Sequence, residues 1–356
     1  MAKTEITFGK TVSLAEAEAL ITSVPTNRFH LMGEPGIGKS SMLERIADKL
    51  GMDYAYIDVP NMDLGDIAMP VVDHATRTTK YYPNARFKLQ EGKPVVIMLD
   101  EFSKGADPVK NMLHPLLEIN NPRLGDVSLH PDTVVFLTGN LTTDGVGDSL
   151  KAHTIQRVCV MTQRKDDADE WVQWAQDTGR IAPEVTAWVS RFPHCMASYT
   201  DAGQAENHLI YQPKFPQRSC VSPRSAEQAS NIINNRHKFD SDTLIAALIG
   251  TVGEAAAREM QAFVAFSDQL PEWSEIIGNP KTAAIPTSPG ACAITVHGGV
   301  ARVTKETFAP FMEYMGRFDA EWQAAFAINI AKSAKQAIAF SNRAFADWVA
   351  KNQDLL

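Results

Sequence analysis

Hydrophobic positions fall into two regimes along this chain. Over roughly the first half, short apolar runs of strand length alternate with segments whose apolar residues recur every three or four positions; after that only the helical spacing persists. Phe29, Leu31 and Met32 form one short run, and Met42, Leu43, Ile46, Ala47 and Leu50 follow at helical spacing until Gly51, a natural left-handed cap. Upstream, Ile6 and Phe8 suggest an extended segment, and Ser13 caps a helix through Leu14, Ala17, Leu20 and Ile21. Residues 54–59 read as a second strand. Residues 94–102, PVVIMLDEF, hold five consecutive apolar residues, the pattern of a strand buried on both faces between helix layers, and 133–140, TVVFLTGN, repeat it. Asp107 and Pro108 open a helix with Val109, Met112, Leu113, Leu116 and Leu117 on one face, where Pro115 should kink or break it. A glycine-rich turn, TTDGVGDS, leads to a short helix and a strand beginning near Arg157. This alternation predicts a doubly wound, mostly parallel sheet flanked by helices.

Between the second and third of these strands, Val71 and Val72, a polar Thr/Arg/Lys tip, and Tyr81 and Tyr82 read as an inserted hairpin, about residues 67–83, which is either a plain surface loop or a projecting one that touches a substrate or a central pore. From Arg164 the pattern turns helical: Trp171, Val172, Trp174 and Ala175, then Val185, Trp188 and Val189, with further helices near 226–233, 241–249 and 255–266. Recurring prolines, Pro280, Pro286 and Pro289, suggest a connector. Phe311, Met312, Met315 and Phe318, then Trp322, Phe326, Ile328 and Ala331, return to helix. Three segments are therefore expected: 1–164, an α/β domain; 165–270, a helical domain; and 271–356, a connector with C-terminal helices.

Composition narrows the function classes. The chain has 356 residues and a net charge of −8, which argues against nucleic-acid binding through bulk electrostatics without excluding a local basic strip. The widely spaced Cys159, Cys195, Cys220 and Cys292 fit reduced thiols better than disulfides or zinc ligands. The N-terminus lacks the apolar core of a signal peptide, and no apolar stretch is long enough to cross a bilayer, so a cytoplasmic protein without a membrane role is expected.

The candidate chemistry lies at strand ends. Gly33, Gly38, Lys39 and Ser40 fit the G-x-x-x-x-G-K-[ST] pattern, and the stretch Gly33, Glu34, Pro35, Gly36, Ile37, Gly38, Lys39, Ser40 and Ser41 joins a strand to a helix N-terminus, where backbone N–H groups and the helix dipole favour an anion. Glycine permits close backbone approach to phosphate; Lys39 supplies a charge for the β- and γ-phosphates and Ser40 a hydroxyl for magnesium. Asp100 and Glu101 end a buried strand on the edge where α/β sheets bind ligands, so Asp100 can hold magnesium and Glu101 can orient or deprotonate an attacking water. Asn140, at the end of the next such strand, is placed to hydrogen-bond a γ-phosphate or that water.

In this order of motifs the chain resembles the AAA+ ATPases, and within them the MoxR-type and dynein-related group, over roughly residues 28–235. The resemblance implies that Gly33, Gly38, Lys39 and Ser40 are Walker A, that Asp100 and Glu101 are Walker B, and that Asn140 is sensor one. It also implies a P-loop parallel sheet followed by an α-helical lid and a C-terminal helical segment, with ATP and Mg2+ as cofactors. The segment LKAHTIQRV resembles the family's approach to the arginine finger, making Arg157 the finger; Gln156 and Val158 depart from the group's L-D-R-F, so Lys151 and Arg164 compete for the role. SPRSAEQAS resembles the sensor-two helix and implicates Arg224. The family implies a homo-oligomeric, hexameric ring that remodels a protein client, with a von Willebrand factor A domain protein as a candidate. The alternative is a DNA-acting motor or loader, for which only the Arg77, Lys80, Tyr81, Tyr82 tip speaks. A small-molecule kinase would share the P-loop but want a substrate pocket, and a non-hydrolysing scaffold would not need Glu101.

Overall fold

The computed structural model describes residues 10–141 and 150–352; the extended segment at Ile6 and Phe8 and the turn at 142–149 lie outside them. The chain divides into two compact units, Met1–Lys165 and Asp166–Leu356.

The first unit is built on a six-stranded sheet. Its strands are β1 (Thr11–Val12), β2 (Phe29–Met32), β3 (Asp53–Asp58), β6 (Val95–Asp100), β9 (Val134–Gly139) and β10 (Cys159–Gln163), in the order β1-β10-β2-β9-β6-β3. Every neighbouring pair is parallel. Side chains alternate across a strand, so Val95, Ile97 and Leu99 enter one core with Val109 and Leu113 of α3 (Asp107–Leu113). Val96 and Met98 enter the other, with Ala17 and Ile21 of α1 (Leu14–Ser23) and Met42 and Ile46 of α2 (Met42–Leu50). Burial on both faces is why β6 and β9 read as unbroken apolar runs. Ser13 closes a capping box with Glu16 at the start of α1.

Pro115 does not kink a long helix. Helix α3 stops at Leu113 and a 3-10 turn, His114–Leu117, begins with Pro115 in its first turn, where a missing N–H leaves no helical bond unmade. Leu116 and Leu117 remain fully buried through that change of pitch.

Two small sheets stand apart from the main one. Strands β4 (Ala68–Asp73) and β5 (Thr78–Pro83) pair antiparallel, and Arg77 at their tip takes the left-handed conformation at φ 54°. Met69, Val71, Val72, Tyr81 and Tyr82 are all exposed. At its base, Tyr81 N–H donates to Asp126 Oδ2 (2.7 Å) and Asp126 N–H to the Tyr81 carbonyl (2.9 Å). Asp126 lies in the turn between β7 (Arg123–Leu124) and β8 (Val127–Ser128).

The described part of the second unit is helical. Helices α5 (Ala168–Thr178), α6 (Pro183–Arg191), α7 (Pro223–Asn234), α8 (Ser241–Val252) and α9 (Glu254–Ser267) are followed by α10 (Trp273–Gly278), α11 (Pro289–Arg302), α12 (Phe308–Met315), α13 (Ala320–Lys332), α14 (Gln336–Ser341) and α15 (Arg343–Lys351). The proline-bearing stretch is not only a connector: it contains α10, and Pro289 is the first residue of α11. Helix α11 packs against α5, α6, α9 and α13. Inside this packing, Gln176 Nε2 donates to His297 Nδ1 (2.7 Å) and to Asn329 Oδ1 (3.0 Å), joining α5, α11 and α13 through one buried amide.

Candidate functional site

The loop after β2 is shaped by close backbone approach. Gly33 N–H donates to the Gly139 carbonyl (3.2 Å), and a Cβ on Gly33 would stand 2.6 Å from Ile37 Cδ1 and 3.0 Å from the Gln163 carbonyl, so a side chain there would have to displace Ile37 and crowd the Gln163 backbone. Gly36 and Gly38 hold φ of 77° and 96°, conformations glycine adopts without penalty. Lys39, Ser40 and Ser41 form a 3-10 turn that leads into α2. Buried Lys39 donates through Nζ to the carbonyls of Gly33 and Glu34, both at 2.7 Å, and to Asn140 Oδ1 at 3.3 Å.

The acidic pair lies beside this loop because β6 and β2 both flank β9. Asp100 ends β6; its Oδ2 is 3.4 Å from Ser40 Oγ and accepts from the Tyr56 hydroxyl at 2.8 Å, while its Oδ1 accepts from Thr138. Partial burial and the Asp100 carboxylate push the Tyr56 hydroxyl well above its ordinary pKa, so it stays a neutral donor. Glu101 follows in the left-handed conformation at φ 49°, uncommon for a residue with a side chain and a mark of a site that the surrounding structure enforces. Its N–H donates to Thr138 Oγ1 at 3.1 Å. Glu101 Oε1 accepts from Asn140 Nδ2 at 3.4 Å and Oε2 from Lys104 Nζ at 2.7 Å. Asn140 thus bridges Lys39 and Glu101 with the two ends of one amide.

Beneath the cluster lies His30, fully buried in β2. A Cβ on Gly139 would come within 2.8 Å of its Nε2, so a side chain at 139 would have to displace the buried ring. Burial, aided by the charge of Lys39, holds the imidazole down at about 4, so it is neutral near pH 7.

Gly33 to Ser41, Asp100, Glu101 and Asn140 therefore meet at one edge of the sheet. Arg157 does not. It precedes β10, whose Cys159 pairs with Phe29 and whose Thr162 pairs with Met32, so it stands at the opposite, N-terminal edge. Arg157 Nε donates to Glu118 Oε1 (2.9 Å) and Nη1 to the His153 carbonyl (2.7 Å). Of its two competitors, Lys151 bonds Asp107 (2.8 Å) just before α4 (Ala152–Ile155), while Arg164 follows β10 on the same edge as the loop. Arg224 is exposed in the first turn of α7, in the second unit.

Tyr56, Thr138 and Lys104 belong to the cluster without any motif to mark them. Strand alternation could have exposed Thr138, two positions before Asn140 on the same face, but Tyr56 and Lys104 are brought in by strand order and by a turn.

The loop fits a polyphosphate: its glycines leave room for backbone approach and a buried ammonium lies along it. Ser40 and Asp100 present hard oxygens of the kind magnesium takes. Residues 28–158 match the model of the AAA domain, dynein-related subfamily. A solved "putative ATPase" from Cytophaga hutchinsonii is similar at 17% identity over 42% of this chain and 45% of that one, with a TM-score of 0.30, a likeness too distant to bear on function. No curated protein matches the chain. Over residues 28–158 the chain carries an AAA domain of the dynein-related subfamily, and with it the ATPase module of the AAA+ class.

Proposed function

We propose that this chain hydrolyses ATP at a site shared between two copies of itself, in a head-to-tail ring, and uses that turnover to remodel a protein partner. The observation that carries the reading is the separation of Arg157 from the loop. The two lie at opposite ends of paired strands four residues long, about 13 Å at the usual rise per residue. An arginine so placed cannot serve its own loop. Presented to the next copy it can, and a contact joining opposite edges is heterologous and generates rings when it closes.

In this reading the backbone of Gly33 to Gly38 cradles the phosphates and Lys39 gives up carbonyl partners to meet them. Ser40 and Asp100 hold the magnesium ion, which when bound with ATP neutralises charge on the phosphates. Glu101 orients and deprotonates the attacking water, and Asn140 fixes the carboxylate of Glu101 relative to Lys39. Arg157 of the neighbouring copy contributes positive charge as the transition state develops, an effect worth about 10³ to 10⁵ in rate in other phosphoryl-transfer enzymes. Arg224 is proposed as the sensor-two residue, as the resemblance implies. A hexamer, and a client such as a von Willebrand factor A domain protein, follow from the family resemblance.

The test is subunit mixing. Arg157→Ala and Lys39→Ala rings should each be inactive, and mixed rings should regain turnover, because one parent-type site forms where an intact loop meets an intact arginine. No recovery in rings shown to contain both subunits excludes action between copies. Pull-down with Glu101→Gln in ATP should hold the client.

A DNA-acting motor is the second reading, favoured by the exposed Tyr81 and Tyr82 beside Lys80 and Arg77. It expects salt-sensitive single-strand binding that disappears in Arg77→Ala/Lys80→Ala.

A further inference from the structure

Arg157 is half-exposed, and its guanidinium is held at two points. Nε donates to Glu118 Oε1 at 2.9 Å and Nη1 to the His153 carbonyl at 2.7 Å. The two bonds leave from opposite edges of the planar fork, and among the described residues no partner takes Nη2. Held by Nε and one Nη1 hydrogen, an arginine still presents two N–H groups of Nη2, the edge that meets a phosphate oxygen.

The partners themselves are fixed. Glu118 follows the 3-10 turn whose Leu116 and Leu117 are fully buried, and the Leu116 carbonyl also accepts from buried Arg28 at 3.0 Å. His153 lies in α4, its ring 5.0 Å from that of His114 in the same 3-10 turn. The bridge is weak as a lock: Arg157 and Glu118 side chains are 35% and 43% exposed, and a pair so wet holds little against a polyphosphate. It is well suited to orienting, because it removes rotamers of a long side chain before the phosphate arrives.

We propose that Glu118 is a positioning residue for the reaction, aiming Arg157 at the nucleotide of the adjoining copy. This rests on the reading of Arg157 as acting between copies. Glu118 acts through Arg157, by limiting where the guanidinium can be. The ordering benefits the transition state more than ATP binding, so its loss should appear in kcat and spare KM.

Glu118→Ala should lower kcat by about tenfold to a hundredfold, the scale of a misplaced catalytic group, with KM for ATP changed less than about twofold. Glu118→Gln, which keeps an oxygen acceptor for Nε, should recover part of the loss. In the Arg157→Ala background, Glu118→Ala should have no further effect, because the residue works only through the arginine. Mixed with Lys39→Ala subunits, Glu118→Ala subunits should regain turnover as Arg157→Ala subunits do. Parent turnover in Glu118→Ala rings, or an additive loss in the double variant, overturns the assignment of Glu118 while leaving Arg157 intact. Failure of Arg157→Ala itself to be rescued in mixed rings overturns the reading beneath it.

Discussion

Thr138 shows how much of the acidic cluster hangs on one buried hydroxyl. It donates to Asp100 Oδ1 and accepts from the Glu101 N–H, so a single side chain fixes the proposed metal ligand and, through the backbone, the left-handed turn that aims the proposed base. Removing it leaves a carboxylate less well held and an N–H without an acceptor. A hydrogen bond to a charged group contributes about 1.5 to 3 kcal/mol. Thr138→Val should therefore weaken magnesium-dependent ATP binding by about tenfold, equivalent to about 1.4 kcal/mol, and Thr138→Ser should restore most of it. Titration with and without chelator checks this, since binding without magnesium should change little. Lys39, Ser40, Asp100, Glu101 and Asn140 were legible in the sequence because phosphate, metal and water chemistry restrict residue type and spacing together. Thr138, Tyr56 and Lys104 were not, because a threonine inside a strand, a tyrosine on another strand and a surface lysine acquire meaning only once β3, β6 and β9 lie in their observed order.

Among elements, α11 is the one that periodicity hides. Its sequence, PGACAITVHGGVAR, is buried on nearly all sides and made of small residues, so no polar face interrupts it and no stripe stands out. The small residues are required by packing: a Cβ on Gly299 would lie 2.1 Å from Phe311 Cζ and 2.3 Å from Cε1, placing the ring of α12 directly against the α11 backbone. Gly250, inside α8, is the opposite case, with nothing within 4 Å of an added Cβ. Gly299→Ala should destabilise by about 1 to 3 kcal/mol through overpacking. Gly250→Ala should stabilise by about 0.5 to 1 kcal/mol, since alanine loses less freedom in a helix. Thermal unfolding of the two variants should move in opposite directions, and a common sign would mean that helix propensity or packing alone governs both sites. The strands β6 and β9 were legible for a complementary reason: burial on both faces erases alternation but leaves a run too short for an independent helix and too apolar for a loop.

At the scale of the molecule, each unit carries a buried histidine whose imidazole is pushed down to about 4, His30 in the first and His297 in the second; burial also lowers His114 in the first. For His297 the hydrogen bond agrees with that direction: Gln176 donates to Nδ1, and a proton there would set donor against donor. Unfolded, an imidazole titrates near 6.5, so between pH 6.5 and 4 the unfolded chain binds more protons than the folded one. Stability is therefore full above pH 6.5 and declines as pH falls through that window, by about 3 kcal/mol for each of His30 and His297. The lowered carboxyl of Asp240, held by the N–H and hydroxyl of Thr243, acts in a different window, since its stabilisation is lost only below the ordinary aspartate range. The two units can be separated optically, because Trp171, Trp174, Trp188, Trp273, Trp322 and Trp348 all lie in the second. Urea unfolding followed by tryptophan emission should show stability falling from pH 7 to pH 4 in the parent, and His297→Gln should flatten that fall while His30→Asn leaves the signal's pH dependence in place. An unchanged slope in His297→Gln would assign the acid sensitivity of the helical unit to other groups, and a slope flattened by His30→Asn would show that the two units unfold as one.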